Sequence, residues 1–266
     1  MISIHVDVDN LWIYEREYGI ALGQQPEFIF DHALPHFLDV LDRHDTRATF
    51  FVVGKDLELV SAQRFCREAI RRGHVLGNHT YTHPADWGTL TTVERSVEIR
   101  RCHDAIQSVA GYRPIGFRAP GYYIDQGVID VLVELGYAYD SSVLPGYANL
   151  LMKAYMCVRG VNARSKMFGR ARYLLASRHP RRLFGAQGGT LLELPISVVP
   201  FLRSPSHTTF LYALGRPYLS IAKMLYQLAP CDHVYLFHAI DVIDLSSTKK
   251  IAHQIISLRW SFEKRG

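Results

Sequence analysis

Two histidines four residues apart, His79 and His83 in the stretch GHVLGNHTYTHP, carry ring nitrogens able to bind a metal or move a proton. Side chains at that spacing lie one above the other on a helical turn, so we expect a turn of helix that lets both rings reach one ion. Two imidazoles do not complete a metal site, and the chain must add an oxygen or sulfur ligand from elsewhere. Asp7-Val8-Asp9, at the end of the first apolar run, is the obvious donor. Arg118, in Arg118-Ala-Pro-Gly121, and His238, after Val234-Tyr-Leu-Phe, are further candidates. Each signal is weak alone. A histidine pair is more often structural, carboxylates commonly follow strands, Arg118 reads equally as a solvated turn residue, and His238 as a core histidine. Four such features, all at expected strand ends, carry more weight together.

The elements that would position them alternate in type. Ile2–Val8 alternates and is rich in β-branched residues, which predicts a strand. A helix is expected over 26–44, with Phe30, Leu34, Phe37, Leu38 and Leu41 buried and Pro35 kinking it. Residues 46–53 read as a buried strand, 57–72 as a helix stopped by Gly73, and 74–78 as a short strand delivering His79. A helix over 90–110 has Thr91 or Thr92 as its cap and Gly111 as its stop. Strand-like 115–118, a short helix at 126–135 and Tyr137–Asp140 follow. Strands resume at 190–196 and 234–238, with helices at 217–229 and 248–264. Strands alternating with helices predict an α/β fold with parallel strands, and Asp7, Asp9, His79, Arg118 and Asp140 all fall at strand ends.

At 266 residues and 48% hydrophobic, the chain can bury a sizeable core. No run of about twenty apolar residues predicts a membrane span. The first residues enter a strand pattern directly, without the basic start and apolar segment of a secretory signal, so we expect a cytoplasmic protein. Four scattered cysteines without a CxxC fit reduced, packed thiols.

The ordered series Asp7/Asp9, His79/His83/Pro84, Arg118/Pro120 and His238 resembles the polysaccharide deacetylase, or NodB-homology, group (carbohydrate esterase family 4). The resemblance spans residues 1 to about 241, apart from a basic segment. It implies a distorted (β/α)7 barrel, one domain over 1–266, and a divalent metal, commonly zinc. It implies Asp9, His79 and His83 as metal ligands, Asp7 as general base, Arg118 orienting Asp7, and His238 protonating the leaving nitrogen. Asp140 is the first candidate to support His238 or Arg118, and Glu193 the second. A backbone N–H near Gly121 or Tyr122 is a candidate oxyanion donor. Two positions depart from the common family pattern. Val8 separates the aspartates, as in a D-x-D variant of the broader group. Gly121 follows Pro120 where an aromatic is frequent, leaving Tyr122 or Tyr123 to wall the sugar site. Trp12, Trp87 and the tyrosines are more often core than sugar platforms. The implied activity is removal of an N-acyl group, acetyl before formyl, from an amino sugar. A non-catalytic sugar- or lipid-binding relative would have lost a ligand or the base, and neither is missing here.

Between Ser141 and Leu192 the chain has no Asp or Glu and nine Lys or Arg, including Lys153, Arg159, Arg164, Lys166, Arg170 and Arg182. We read 141–192 as a basic insertion. Leu, Met, Phe and Tyr are interleaved with the cations, which suits an interfacial segment, and each cation near an anionic membrane contributes about 1 kcal/mol. A lipid-linked phosphosugar is therefore an alternative substrate. Here the chain resembles, more loosely, the lipid-linked formamidoarabinose deformylases, which share the D-x-D form and a late His-Ala. Apart from these cations nothing reads as a nucleic-acid module. If the 153–182 segment binds membranes, the protein will float with anionic liposomes and stay at the bottom with neutral ones. Sedimentation away from anionic vesicles would remove the membrane reading.

Overall fold

The computed structural model describes residues 2–19, 21–23, 25–147 and 171–243. Its strands are β1 (Ile2–Val8), β2 (Ala48–Val52), β3 (Val75–Asn78), β4 (Gly116–Phe117), β5 (Tyr139–Asp140), β6 (Arg181–Phe184), β7 (Thr190–Glu193) and β8 (His233–His238). The helices are α1 (Leu11–Tyr18), α2 (Leu34–Arg43), α3 (Val60–Arg71), α4 (Thr92–Ala110), α5 (Gln126–Glu134) and α6 (Thr208–Leu228). One sheet runs in the order β6-β7-β5-β4-β3-β2-β1-β8. All neighbours are parallel except the β6–β7 pair. Seven parallel strands thus curl into a distorted (β/α) barrel with one antiparallel strand at its edge. The chain after β7 leans toward the other edge, where Ser197 N–H donates to the Val234 carbonyl of β8 at 3.2 Å.

Alternation along β1 sorts the two sides of the sheet. Val6 and Val8 are fully buried and share an apolar cluster with Leu11, Leu34, Leu38, Phe50 and Val52. His5 and Asp7 take the opposite face, inside the barrel. Phe51 of β2 lies there too, 5.1 Å from His5. Gly77 of β3 makes room for it: a Cβ at Gly77 would stand 2.5 Å from the Phe51 ring.

Helix ends follow local chemistry. Asn10 caps α1, its Oδ1 accepting from Leu11 N–H at 2.7 Å. Thr91 and Glu94 form a reciprocal capping box on α4, and Gly111 stops that helix with a left-handed φ of 76°. The helix expected over 26–44 is narrower and in two parts. A wide π-type turn covers Ile29–Ala33, and α2 follows with Pro35 in its first turn. Pro35 has no N–H to give, so it is tolerated there rather than kinking a helix interior. The expected buried residues Phe30, Leu34, Phe37, Leu38 and Leu41 are buried. α6 begins earlier than 217 and breaks at Gly215, two residues before Pro217. The expected 248–264 helix and the cations from Lys153 to Arg170 lie outside the described residues.

Gly77→Ala drives a methyl into Phe51, which is held on its other sides by His5 and Arg118. We expect a loss of about 1–3 kcal/mol, read as a lower urea midpoint at unchanged slope.

Candidate metal centre

The period of two in β1 places Asp7 and Asp9 on the same side with Val8 between them turned to the helices. The spacer residue is therefore what a strand requires if both carboxylates are to face the barrel mouth. Parallel pairing brings their neighbours into register: Asp7 lies opposite His238 of β8 and Phe51 of β2. On the far side, Arg118 N–H donates to the Asn78 carbonyl at 3.0 Å, extending the β3–β4 pairing. His79 and Arg118 therefore leave adjacent strand ends together.

Asp9, His79 and His83 are buried, and one ligand atom from each lies within 4.8 Å of the others. Asp9 Oδ1 is 3.4 Å from His79 Nε2 and 3.6 Å from His83 Nε2. Burial opposes a charge on Asp9, but His83 and His79 outweigh it and hold the carboxyl well below its ordinary range. Apart from those imidazoles, Asp9 Oδ1 has no hydrogen-bond partner among the described residues. Two imidazole nitrogens and a carboxylate oxygen aimed at a common point suit a divalent ion of borderline softness such as zinc. His79 Nδ1 lies 2.8 Å from the Arg118 carbonyl. A carbonyl only accepts, so the proton sits on Nδ1 and Nε2 presents a lone pair to the cluster.

The two histidines do not sit on a helical turn. Residues 79–83 form a loop, with left-handed φ at Thr80 (67°) and His83 (48°). Its backbone groups are bound from outside instead of from within a helix. Thr80 N–H donates to Asn78 Oδ1, and those of Tyr81 and Thr82 to the Glu98 carboxylate. The carbonyls of Thr80 and Tyr81 accept from Gly54 and Lys55 N–H, and Arg16 donates to those of Thr82 and His83. The ring centroids end 4.9 Å apart.

Arg118 is fully buried. Its Nε is 3.3 Å from Asp7 Oδ1, and its Nη2 donates to His5 Nδ1 at 2.6 Å and to Ser141 Oγ at 3.1 Å. Burial first, and the guanidinium second, push the His5 pKa well down, which keeps that ring neutral and able to accept. His5 lies two residues before Asp7 on the same face of β1, a position that strand alternation alone makes legible. Glu17 and Glu98, which contact the 79–83 loop, had no sequence signal.

His238 pairs with Asp241, not with Asp140 or Glu193. Its Nδ1 is 3.6 Å from Asp241 Oδ2, and its backbone N–H donates to the same oxygen at 2.9 Å. Tyr122 Oη stands 3.4 Å from His238 Nε2. Asp140 is engaged elsewhere: Ser142 donates to it from Oγ at 2.5 Å and from N at 3.0 Å, and Glu193 lies opposite it in the β5–β7 register. Burial raises the pKa of both carboxyls, and each hydrogen-bonds the other, so the pair favours a shared proton. Trp87 is fully buried and donates to the Tyr123 carbonyl, which makes it core rather than a sugar platform.

Fold and site together define a parallel β/α barrel with a candidate metal centre at the carboxyl ends of its strands. The family model for polysaccharide deacetylase matches residues 26–139. A chitin deacetylase of Colletotrichum lindemuthianum is 38% identical over 106 residues, 39% of this chain and 42% of that protein. A peptidoglycan-N-acetylglucosamine deacetylase of Bacillus cereus is 34% identical over 106 residues, 40% of this chain and 36% of that protein. Over residues 26–139 the chain is similar to the polysaccharide deacetylase (NodB-homology) family. It spans less than half the length of these two relatives. In fold, a Mycobacterium smegmatis protein classed as a polysaccharide deacetylase aligns over 99% of this chain and 82% of its own, with a TM-score of 0.61 at 20% identity. The matched family segment holds His79, His83 and Arg118 but not Asp7, Asp9 or His238; tertiary structure joins the two sets.

Burial alone lowers the His238 pKa, but Asp241, then Asp7 and Asp9, outweigh it and raise it to about 9. That is above the ~6.5 of an unfolded imidazole. The stabilisation is thus complete below about pH 6.5 and is lost as pH rises through about 9. In metal-stripped protein, Asp241→Asn should lower the His238 pKa seen by NMR titration and flatten this alkaline loss of stability. An unchanged titration would remove Asp241 as the controlling partner.

Proposed function

We propose that the protein is a metal-dependent hydrolase that removes an N-acyl group, acetyl in the first instance, from an amino sugar. The reading is carried by one observation: the Asp9–His79–His83 cluster lies beside a buried Asp7–Arg118 pair, with His238 across the β1–β8 register. The family match over residues 26–139 supports the reaction class.

Asp9, His79 and His83 would hold the ion, and zinc matches their donors. When bound, it supplies a Lewis acid for the acyl oxygen and lowers the pKa of a water to about 7. Asp7, whose orientation Arg118 sets, takes a proton from the attacking water as general base. The water oxygen bonds to the acyl carbon, the C–N bond breaks, and His238 gives the departing nitrogen a proton. Asp241 at Nδ1 leaves His238 Nε2 directed toward Tyr122 and the mouth of the site. The products are a carboxylate and a free amine. Asp140 acts here as a positioning residue rather than a proton carrier. It holds Ser142, whose Oγ accepts from Ala119 N–H at 2.8 Å and so fixes the chain after Arg118.

A lipid-linked phosphosugar remains the second substrate class, favoured by the charge bias of 141–192. Among the described residues no helix is long and apolar enough to cross a membrane. Both classes share the same bond cleavage, so measuring acetate and formate release from N-acylated chitooligosaccharides and lipid-linked amino sugars chooses between them.

Asp7→Asn keeps an oxygen facing Arg118 but cannot take a proton. It should retain metal while turnover falls by about 10²–10⁴. His79→Ala should lose both. Metal content is read by elemental analysis and turnover by acyl release; full activity in Asp7→Asn would sink the general-base role.

A further inference from the structure

The second metal-binding histidine has a partner outside every motif of the sequence. α1 starts directly after Asp9, and its setting is fixed at its first turn. Asn10 Nδ2 and Trp12 Nε1 both donate to Asp56 Oδ1, at 2.9 and 2.8 Å. Its last turn therefore arrives at a set place, and two side chains from that turn reach the 79–83 loop. Arg16 donates to the carbonyls of Thr82 and His83. Glu17 Oε1 stands 3.3 Å from His83 Nδ1, with the glutamate side chain 15% exposed and the histidine 10%.

The ring of His83 is thus addressed from both ends: Nδ1 by Glu17 and Nε2 by Asp9, 3.6 Å away. His79 is treated alike, with Nδ1 given to the Arg118 carbonyl. The two holders differ in charge. A carbonyl fixes only tautomer and orientation, whereas a carboxylate also pushes electron density into the ring and makes its other nitrogen a stronger donor.

We infer that Glu17 is a positioning residue that sets the affinity of the centre for its metal, by accepting the Nδ1–H of His83 and fixing Nε2 as the ligand atom. The inference rests on the metal-dependent reading above. A purely structural tether between α1 and the loop would leave metal affinity unmoved once the fold is intact, and this separates the two roles.

The test uses Co²⁺ alone as probe on the metal-stripped full chain, followed by its visible absorption and by calorimetry, with circular dichroism melting as the measure of fold. Glu17→Ala should bind Co²⁺ about 10–100-fold more weakly. Glu17→Gln, which keeps an accepting oxygen and the side-chain volume but no charge, should fall between the two. It decides the case if Glu17→Ala does not fold. His79→Ala is the control and should not bind. If His79→Ala loses Co²⁺ while both Glu17 variants bind as the parent does, the role of Glu17 is overturned and the metal reading stands. If His79→Ala binds as tightly as the parent, the metal reading itself falls, and this inference with it.

Discussion

A guanidinium with no access to water organises the barrel mouth. Arg118 is fully buried, and a buried cation is tolerated only when paired and hydrogen-bonded. Asp7 supplies the charge, and His5 and Ser141 supply further polar contacts. Phe51 lies beneath the cation, 4.8 Å from its centre. Asp7 and His5 come from β1, Phe51 from β2 and Ser141 from the end of β5, so the cluster can form only after these distant strands have come together. Breaking such a pair by removing one partner costs about 3–5 kcal/mol. The same residue also works through its backbone, since the Arg118 carbonyl fixes the ring of His79. One residue therefore joins the proposed base to a proposed metal ligand.

The loop carrying the two histidines shows how a strained conformation is kept. Thr80 and His83 occupy left-handed backbone space that side chains with a Cβ usually avoid, at a cost of order 1–3 kcal/mol each. The surroundings over-determine it: Asn78, Glu98, Gly54, Lys55 and Arg16 each hold one or more of its polar groups. A helix would have met those groups internally and stacked the rings on its own surface. The loop turns them inward onto Asp9.

Burial sorts the remaining carboxyls into different jobs. Asp9 is held charged by imidazoles, whereas Asp140 and Glu193, opposite one another on β5 and β7, are driven toward a shared proton. Residue type alone does not distinguish these states; the sign of the nearest neighbour does.

Alternation and helix punctuation made much of the architecture legible. β1, the capping box at Thr91, the stop at Gly111 and the buried stripe of α2 are local features, decided within a few residues of chain. The ordered Asp, His-His, Arg and His series was legible for the same reason, because each member falls at an element's end. What local pattern could not supply was partnership across the chain. Asp241 rather than Asp140 faces His238, Glu17 reaches His83 from 66 residues away, and the His79–His83 segment abandons the helix its spacing suggested. Contacts between distant residues are selected by packing and by the demand that every buried polar group find a partner, and those demands exist only once the chain has folded.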